Sequence, residues 1–129
     1  MPDSATFASN VTVTVTVNGE EYEGKLARIE RTSLGYEDHG IPTAFLHCAG
    51  HGWGQGAGGF HLGGAAMHAW VMGVIDALGC ETWENLPGRS VMLLYKKGTG
   101  HYPVEGVMSP TGEKTFLFRP AMEAVKLDD

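Results

Sequence analysis

The sequence has few cysteines, few basic residues and no long apolar run, and each shortage excludes a class of protein. The two cysteines, Cys48 and Cys80, are too few for a disulfide scaffold and too far apart for a metal knuckle, so we expect reduced thiols. Nine Lys and Arg against 15 Asp and Glu give a net charge of −6, which argues against broad electrostatic capture of nucleic acid. No run is long enough to span a membrane and none resembles a signal peptide, so the expected location is cytoplasmic.

Several catalytic signatures are missing as well. There is no Gly-Lys-Ser/Thr phosphate loop, no His-Glu-x-x-His, no paired Cys-x-x-Cys and no Gly-x-Ser-x-Gly nucleophile turn. These absences favour a binding protein over an enzyme and predict no cofactor. They do not exclude an enzyme whose site residues are scattered along the chain.

The N-terminal quarter carries a clear strand pattern. The chain has 129 residues, 43% of them hydrophobic, which predicts a single domain, 1–129, with a core of its own. Residues 1–9 are polar and weakly patterned, and we expect a disordered arm. Valine and threonine alternate from Val11 to Val17, and Asn18-Gly19 is typical of a type I′ turn, so residues 10–32 predict a β-hairpin. The alternation breaks after Leu26, which predicts a bulge between Leu26 and Ile29.

The rest of the chain predicts an α+β fold. Strands are expected at 43–48, at 58–62 within a wide glycine-lined hairpin, at 89–97, and more weakly near 102–108 and 114–119. One long helix is expected at about 64–78, where apolar residues recur at helical spacing: Met67, Trp70, Val71, Val74, Ile75 and Leu78. Pro120 can open a short terminal helix. The predicted architecture is a mostly antiparallel sheet of five to seven strands packed on one main helix.

The segment "HGWGQGAGGFHLGG", residues 51–64, is half glycine and invites two interpretations. Its backbone amides and the following helix N-terminus could hold an anion or a nucleotide. Alternatively, it is a structural hairpin whose backbone packs against Trp53 or Trp70. Our provisional interpretation is that the run shapes the mouth of a backbone-lined pocket.

Candidate site residues cluster around this run. The predicted ligand-binding set is Tyr36, Glu37, Asp38, His39, Trp53, Gln55, Gly56, Gly58, Gly59 and Phe60. Its aromatic members could stack on a base. His47 and His61, with the acids of the 37–39 loop, are the weaker candidates for a divalent metal. No catalytic residue is assigned, because neighbouring residues of an extended Glu-Asp-His run point to opposite faces.

Two stretches resemble a family of small phage and prophage proteins of unknown function. They are "ARIERTSLGYEDHGIPTAFLHCAGHGWGQGAGGFHL", residues 27–62, and "ALGCETWENLPGRSV", residues 77–91. The shared pattern is Ile-Glu-x-Thr-x-Leu-Gly-x-Glu-Asp-His-Gly-Ile-x-Thr, then Gly-Gln-Gly-x-Gly-Gly-aromatic, then Trp-x-x-Leu-Pro-Gly, over about residues 27–95. The N-terminal Val-Thr hairpin, the tripeptide His51-Gly52-Trp53 and the last third of the chain depart from it.

The resemblance implies a phage or prophage origin and action inside a bacterium, and it provides no catalytic residues. It adds weight to the positions that define the motif: Glu37, Asp38, His39, Gly40, Gln55, Gly56, Gly58 and Gly59. The leading prediction is a non-enzymatic, homo-oligomeric accessory protein, directed against host defence, that sequesters a small nucleotide-like ligand or blocks a host protein.

Two alternatives stay open at this point. One is a metal-dependent hydrolase that uses His47 or His61. The other is a single-stranded nucleic-acid accessory protein in which Trp53, Tyr36 and Arg89 stack on bases or contact phosphates, which the acidic balance disfavours.

Overall fold

A computed structural model describes residues 12–36, 40–50, 52–60 and 64–128. The fold is α+β, as predicted, and its elements are β1 (Thr12–Val17), β2 (Glu20–Tyr36), β3 (Pro42–Gly50), β4 (Trp53–Phe60), α1 (Gly64–Ala77), a short 3₁₀ helix (Trp83–Asn85), β5 (Ser90–Lys96), β6 (Gly106–Met108), β7 (Thr115–Leu117) and α2 (Phe118–Asp128). All strand pairs are antiparallel, and they form one sheet in the order β4-β3-β2-β5-β6-β7, with β1 paired to β2. The predicted arm, 1–9, lies outside the described residues.

The 17-residue strand β2 organises the sheet. On one edge it pairs first with β1 and then, from Arg28 to Tyr36, with β3. On the other edge it pairs with β5 over residues 22–28. Asn18 and Gly19 form the predicted tight turn with φ of 52° and 83°. The predicted hairpin is therefore present in the described part of the chain, but its return strand continues past residue 32 to Tyr36.

Thr32, the predicted end of the hairpin, pairs with Leu46 of β3 rather than with β1. The predicted bulge is also misplaced. Pairing of β2 is regular with β1 through Lys25 and with β5 through Arg28, and the register shift lies between Ile29 and Arg31, against β3. The apolar pattern of the sequence breaks before this register shift for a different reason. Tyr22 is buried on the side of the sheet away from the helices, in a small cluster of its own.

The main core lies between the sheet and the two helices. From the sheet it takes residues on one side of β2, β3 and β5, among them Ile29, Leu46 and Leu93, all fully buried. The opposite side of the sheet has only a small buried apolar cluster among the described residues, formed by Tyr22, Leu94 and Met108. One side of the sheet is thus a closed core and the other is largely open.

Helix α1 presents the predicted apolar stripe to this core. Trp70, Val74, Ile75 and Leu78 are buried, and Met67 and Val71 pack against them. The helix ends at Ala77, and two residues later comes Gly79, whose φ is 67° and whose N–H donates to the Asp76 carbonyl. The terminal helix starts at Phe118, two residues before the proline predicted to open it.

The glycine run is where the prediction of local structure was wrong. The wide hairpin mouth with a strand at 58–62 does not form in the described residues. Strand β4 starts at Trp53 and pairs with β3 residue by residue, from Gly50 opposite Trp53 to Thr43 opposite Phe60. Four glycines are therefore part of a regular edge strand.

Candidate functional site

The glycines of β4 make room for an aromatic ring. Phe45 of β3 lies across β4 on the side of the sheet away from the helices. A Cβ at Gly56 would be 2.2 Å from Phe45 Cζ, and a Cβ at Gly58 would be 2.0 Å from Phe45 Cδ1. Real side chains do not approach so closely, so this strand needs glycine at both positions because of packing, not because of backbone conformation.

Trp53 is held by its own chain at the start of β4. Its ring covers Gly50, where a Cβ would be 2.1 Å from Cε2 of the indole. The Lys25 ammonium lies 3.9 Å from the centroid of the ring, which is a cation–π contact. The side chain also packs against the main core. These contacts fix the position of the indole.

His47 belongs to a polar cluster on the open side of the sheet. Its Nε2 lies 3.0 Å from Ser33 Oγ and 3.3 Å from Arg31 Nη1, and its ring meets the Phe45 ring edge-on at 4.9 Å. Burial, and then the Arg31 charge, lower the pKa of His47. Because a guanidinium can only donate, a bond from Arg31 makes Nε2 an acceptor and puts the proton of a neutral ring on Nδ1. Ser33 was missed by sequence reasoning, since its partner is 14 residues away.

A metal site at His47 receives no support from this arrangement. The nitrogen that would ligate the metal already contacts a hydroxyl and a guanidinium, whose charge opposes a bound cation. In the described ranges, no group of three or more His, Cys, Asp or Glu side chains is placed to hold a metal ion. His61, the other candidate ligand, lies outside those ranges.

The two cysteines are free and buried. Burial, with a smaller contribution from Glu30, raises the pKa of Cys48 to about 12. Burial and the neighbouring Cys48 raise the pKa of Tyr95 to about 12 as well. A thiol with such a pKa has almost no thiolate at neutral pH, so Cys48 is not an activated nucleophile.

The structure spreads the predicted ligand-binding residues over the length of the sheet. Tyr36 is 79% exposed at the end of β2, beside a shallow hollow formed with Ser33 and Thr43. Trp53 and Phe60 are the first and last residues of β4, about 23 Å apart at the usual rise of a strand. Tyr36 pairs with Pro42, next to the Thr43–Phe60 pair, so it lies at the opposite end of β4 from Trp53 and the two do not share one pocket. Residues Glu37, Asp38 and His39 lie outside the described part of the chain.

A cleft of about 310 Å³, which we call the glycine cleft, lies at the end of the glycine run. It lies where the end of β4 meets both helices and the segment before β6. Its lining comprises Gly58, Gly59, Trp70, Pro103, Val104, Glu105, Phe118, Arg119 and Met122. Two of the predicted residues, Gly58 and Gly59, are thus part of a cavity, with partners that the sequence did not indicate.

The polar groups of the glycine cleft are few and distinct. Trp70 is fully buried, and its Nε1 has no hydrogen-bond partner among the described residues. The Glu105 carboxylate, whose side chain is only 12% exposed, lies 3.7 Å from Nη2 of the exposed Arg119. The backbone of Glu105 is fixed, since its N–H donates to Leu94 and its carbonyl accepts from Phe118. The lining of the cleft thus combines apolar walls with a carboxylate and a guanidinium, and the unpartnered N–H of its indole is itself buried.

These three residues escaped sequence reasoning for different reasons. Trp70 looks like any member of the apolar stripe of α1, and only its position at a cavity with an unpartnered N–H sets it apart from the other described members. Glu105 and Arg119 are isolated charges in a weakly patterned part of the chain. Only the chain path through β6 and β7 brings them together.

Comparisons with known proteins give no relative. The chain matches no model of a protein family, and searches of curated proteins and of solved structures found no match. The resemblance to small phage and prophage proteins stays a prediction. No helix in the described ranges is long and apolar enough to cross a membrane.

Proposed function

We propose that this chain is a non-enzymatic binding protein that holds a small nucleotide-like ligand in the glycine cleft. The observation that carries the proposal is the buried Trp70 indole, which lines a cavity and has an N–H without a partner among the described residues. A buried donor left without an acceptor costs about 1–3 kcal/mol. A ligand oxygen or ring nitrogen that reached this buried N–H through a small shift of the lining would remove that cost, and the free energy gained would favour binding.

The size and lining of the cleft define the class of ligand. A volume of about 310 Å³ is near the lower end for small-molecule sites, which fits one base or nucleoside rather than a long chain. Val104, Phe118 and Met122 supply apolar walls for a flat ring. Arg119 is 63% exposed at its side chain and can reach a phosphate while its partner Glu105 accepts from an amino group.

A binding role agrees with the side chains in the cleft better than a catalytic one. The described residues that line it include no serine, cysteine, lysine or histidine, so this lining offers no hydroxyl, thiol or amine nucleophile and no base of ordinary pKa near 7. The family resemblance extends the proposal to sequestration of such a ligand inside a bacterial host. The alternative within the same proposal is that the chain binds a host protein and blocks it.

A ligand screen tests the proposal directly. Nucleosides, nucleoside phosphates and cyclic nucleotides are added to the wild-type protein, thermal stability is measured, and hits are quantified by calorimetry. Trp70→Phe keeps an aromatic ring and deletes the N–H, and we expect it to weaken binding about tenfold, the equivalent of one lost hydrogen bond. Arg119→Ala should weaken ligands with a phosphate more than nucleosides.

Arg89→Ala is the matched control, because Arg89 is an exposed arginine that does not line the cleft. It should leave the affinity unchanged. A wild-type protein that no nucleoside or nucleotide stabilises would overturn the proposal. Equal losses in Arg119→Ala and Arg89→Ala would move the binding site away from the cleft.

A further inference from the structure

Strand β4 is an edge strand without the usual protection of an edge. Within residues 12–36, 40–50, 52–60 and 64–128, only β3 pairs with it. Natural sheets protect such edges with charged side chains, proline, bulges or very short strands. β4 has eight residues in regular register, no charge and no proline. Two further strands have one free edge among the described residues: β7 has only three residues and continues directly into α2, and β1 has six.

We propose that β4 pairs antiparallel with β4 of a second copy of this chain, around a two-fold axis at Ala57. A free strand edge is complementary to itself in this arrangement, because each copy offers the same row of N–H and C=O groups. The chain carries a net charge of −6, yet β4 itself is neutral, so pairing opposes no like charges across the strands. Gly54, Gly56 and Gly58 add no side chains that could separate the two backbones on the open side.

The two sides of the sheet restrict the register. An axis perpendicular to the sheet keeps the helix side of both copies on the same side, so only residues of the same side can face each other. With the axis at Ala57, Gly59 faces Gln55 of the partner subunit. With the axis at Gly56, Gly59 would face Trp53 of the partner subunit. The Trp53 ring is already held over Gly50 and beside Lys25, which favours the register centred on Ala57.

This pairing adds a residue to the glycine cleft. Within one chain, Gln55 is four residues from Gly59, about 13 Å along the strand, and its Nε2 donates to the Gly56 carbonyl at 3.3 Å. In the pair, Gln55 of the partner subunit lies directly beside Gly59, at the wall of the cleft. Its amide offers both a donor and an acceptor to a ligand. The pairing stands by itself, whereas this role of Gln55 rests on the proposed function.

The mass of the wild-type protein in solution is the first measurement. Light scattering or native mass spectrometry should give twice the 13.8 kDa of one chain. Ala57→Cys then tests the register. Facing Cα atoms in an antiparallel pair are about 4.5–5.5 Å apart, within reach of a disulfide, so mild oxidation should crosslink this variant into a covalent dimer.

Gln55→Cys is the matched control on the same side of the same strand. Both cysteine variants are made together with Cys48→Ala, because residue 55 faces Cys48 of β3 in the same chain and would otherwise be within reach of an intrachain disulfide. In the proposed register the two copies of residue 55 are offset by four residues, about 13 Å, so they should not crosslink. A wild-type mass of one chain at the highest soluble concentration would overturn the pairing, whether or not the cysteine variants fold. A dimer that crosslinks through residue 55 and not through residue 57 would overturn the register.

The outcomes for the two proposals are separable. Gln55→Ala should keep the dimer mass and weaken ligand binding several-fold. A wild-type dimer that binds no ligand would contradict the proposed function and leave the pairing supported. A wild-type monomer whose binding depends on Trp70 would contradict the pairing and support the function.

Discussion

The two long hairpins of this protein are built on opposite principles. In β1–β2, alternating valine and threonine, charged residues on the return strand and an Asn-Gly turn specify the hairpin locally. In β3–β4, the second strand is half glycine, and the Phe45 ring lies across it where two of its glycines leave room. The comparison shows that one residue type can act in two ways: Gly19 is needed for its backbone angle, and Gly58 for its missing Cβ.

The largest effect is expected at Gly58. In Gly58→Ala the new Cβ would overlap the Phe45 ring, which is 2.0 Å from its ideal position, so the ring or the strand must shift. Overpacking of this kind costs about 1–3 kcal/mol, and we expect a loss near the upper end in urea unfolding. Gly54→Ala is the control on the same strand and side, because its Cβ would meet only the Cys48 carbonyl oxygen at 3.6 Å. It should be neutral or slightly stabilising.

A double-mutant cycle should identify Phe45 as the cause. Phe45→Leu removes the ring from β4 and should by itself cost about 1 kcal/mol, as a swap between apolar residues of similar size does. In that background, Gly58→Ala should cost at least about 1 kcal/mol less than in the wild type. If the two losses simply add in urea unfolding, the ring does not explain the glycine.

The turn glycine of the first hairpin should behave differently. Gly19 has a φ of 83°, and nothing lies within 4 Å of its ideal Cβ. Gly19→Ala should therefore cost about 1 kcal/mol from backbone strain alone. Gly19→Asn should recover most of this loss, because asparagine tolerates left-handed angles. If Gly19→Ala and Gly19→Asn lose similar amounts of stability in urea unfolding, the cause is steric, and Gly19 does not differ from Gly58 in the way proposed.

The smallest expected effect is the pH dependence of stability that comes from Cys48, whose buried thiol belongs to β3 of the second hairpin. The pKa of Cys48 is raised from 9.0 to about 12, so the folded chain keeps a proton that the unfolded chain loses. Its contribution to stability is complete below pH 9 and is lost as the pH rises from about 9 to about 12. At about pH 9.5 the loss is below about 1 kcal/mol. Unfolding midpoints measured between about pH 7 and pH 10 should fall, and Cys48→Ala should flatten this slope.

The sequence determined those parts of the protein that follow from local physical chemistry. The first turn, the apolar stripe of α1 and the α+β class depend on periodicity and backbone preference over a few neighbouring residues, and all three were predicted. The bulge was misplaced because periodicity reports burial without reporting on which side of the sheet a residue is buried.

Tertiary structure alone decided that the glycine run forms a strand and where the candidate site lies. Glycine has no side chain to favour a strand, so this segment becomes β4 through its pairing with β3 and through contacts such as that with Phe45, 13 residues before Gly58. Trp70, Glu105 and Arg119 are 14 or more residues apart, and the chain path brings them together with Gly58 at one cleft. Contacts over such distances leave no periodic trace in the sequence, because each residue type at its own position is compatible with many folds.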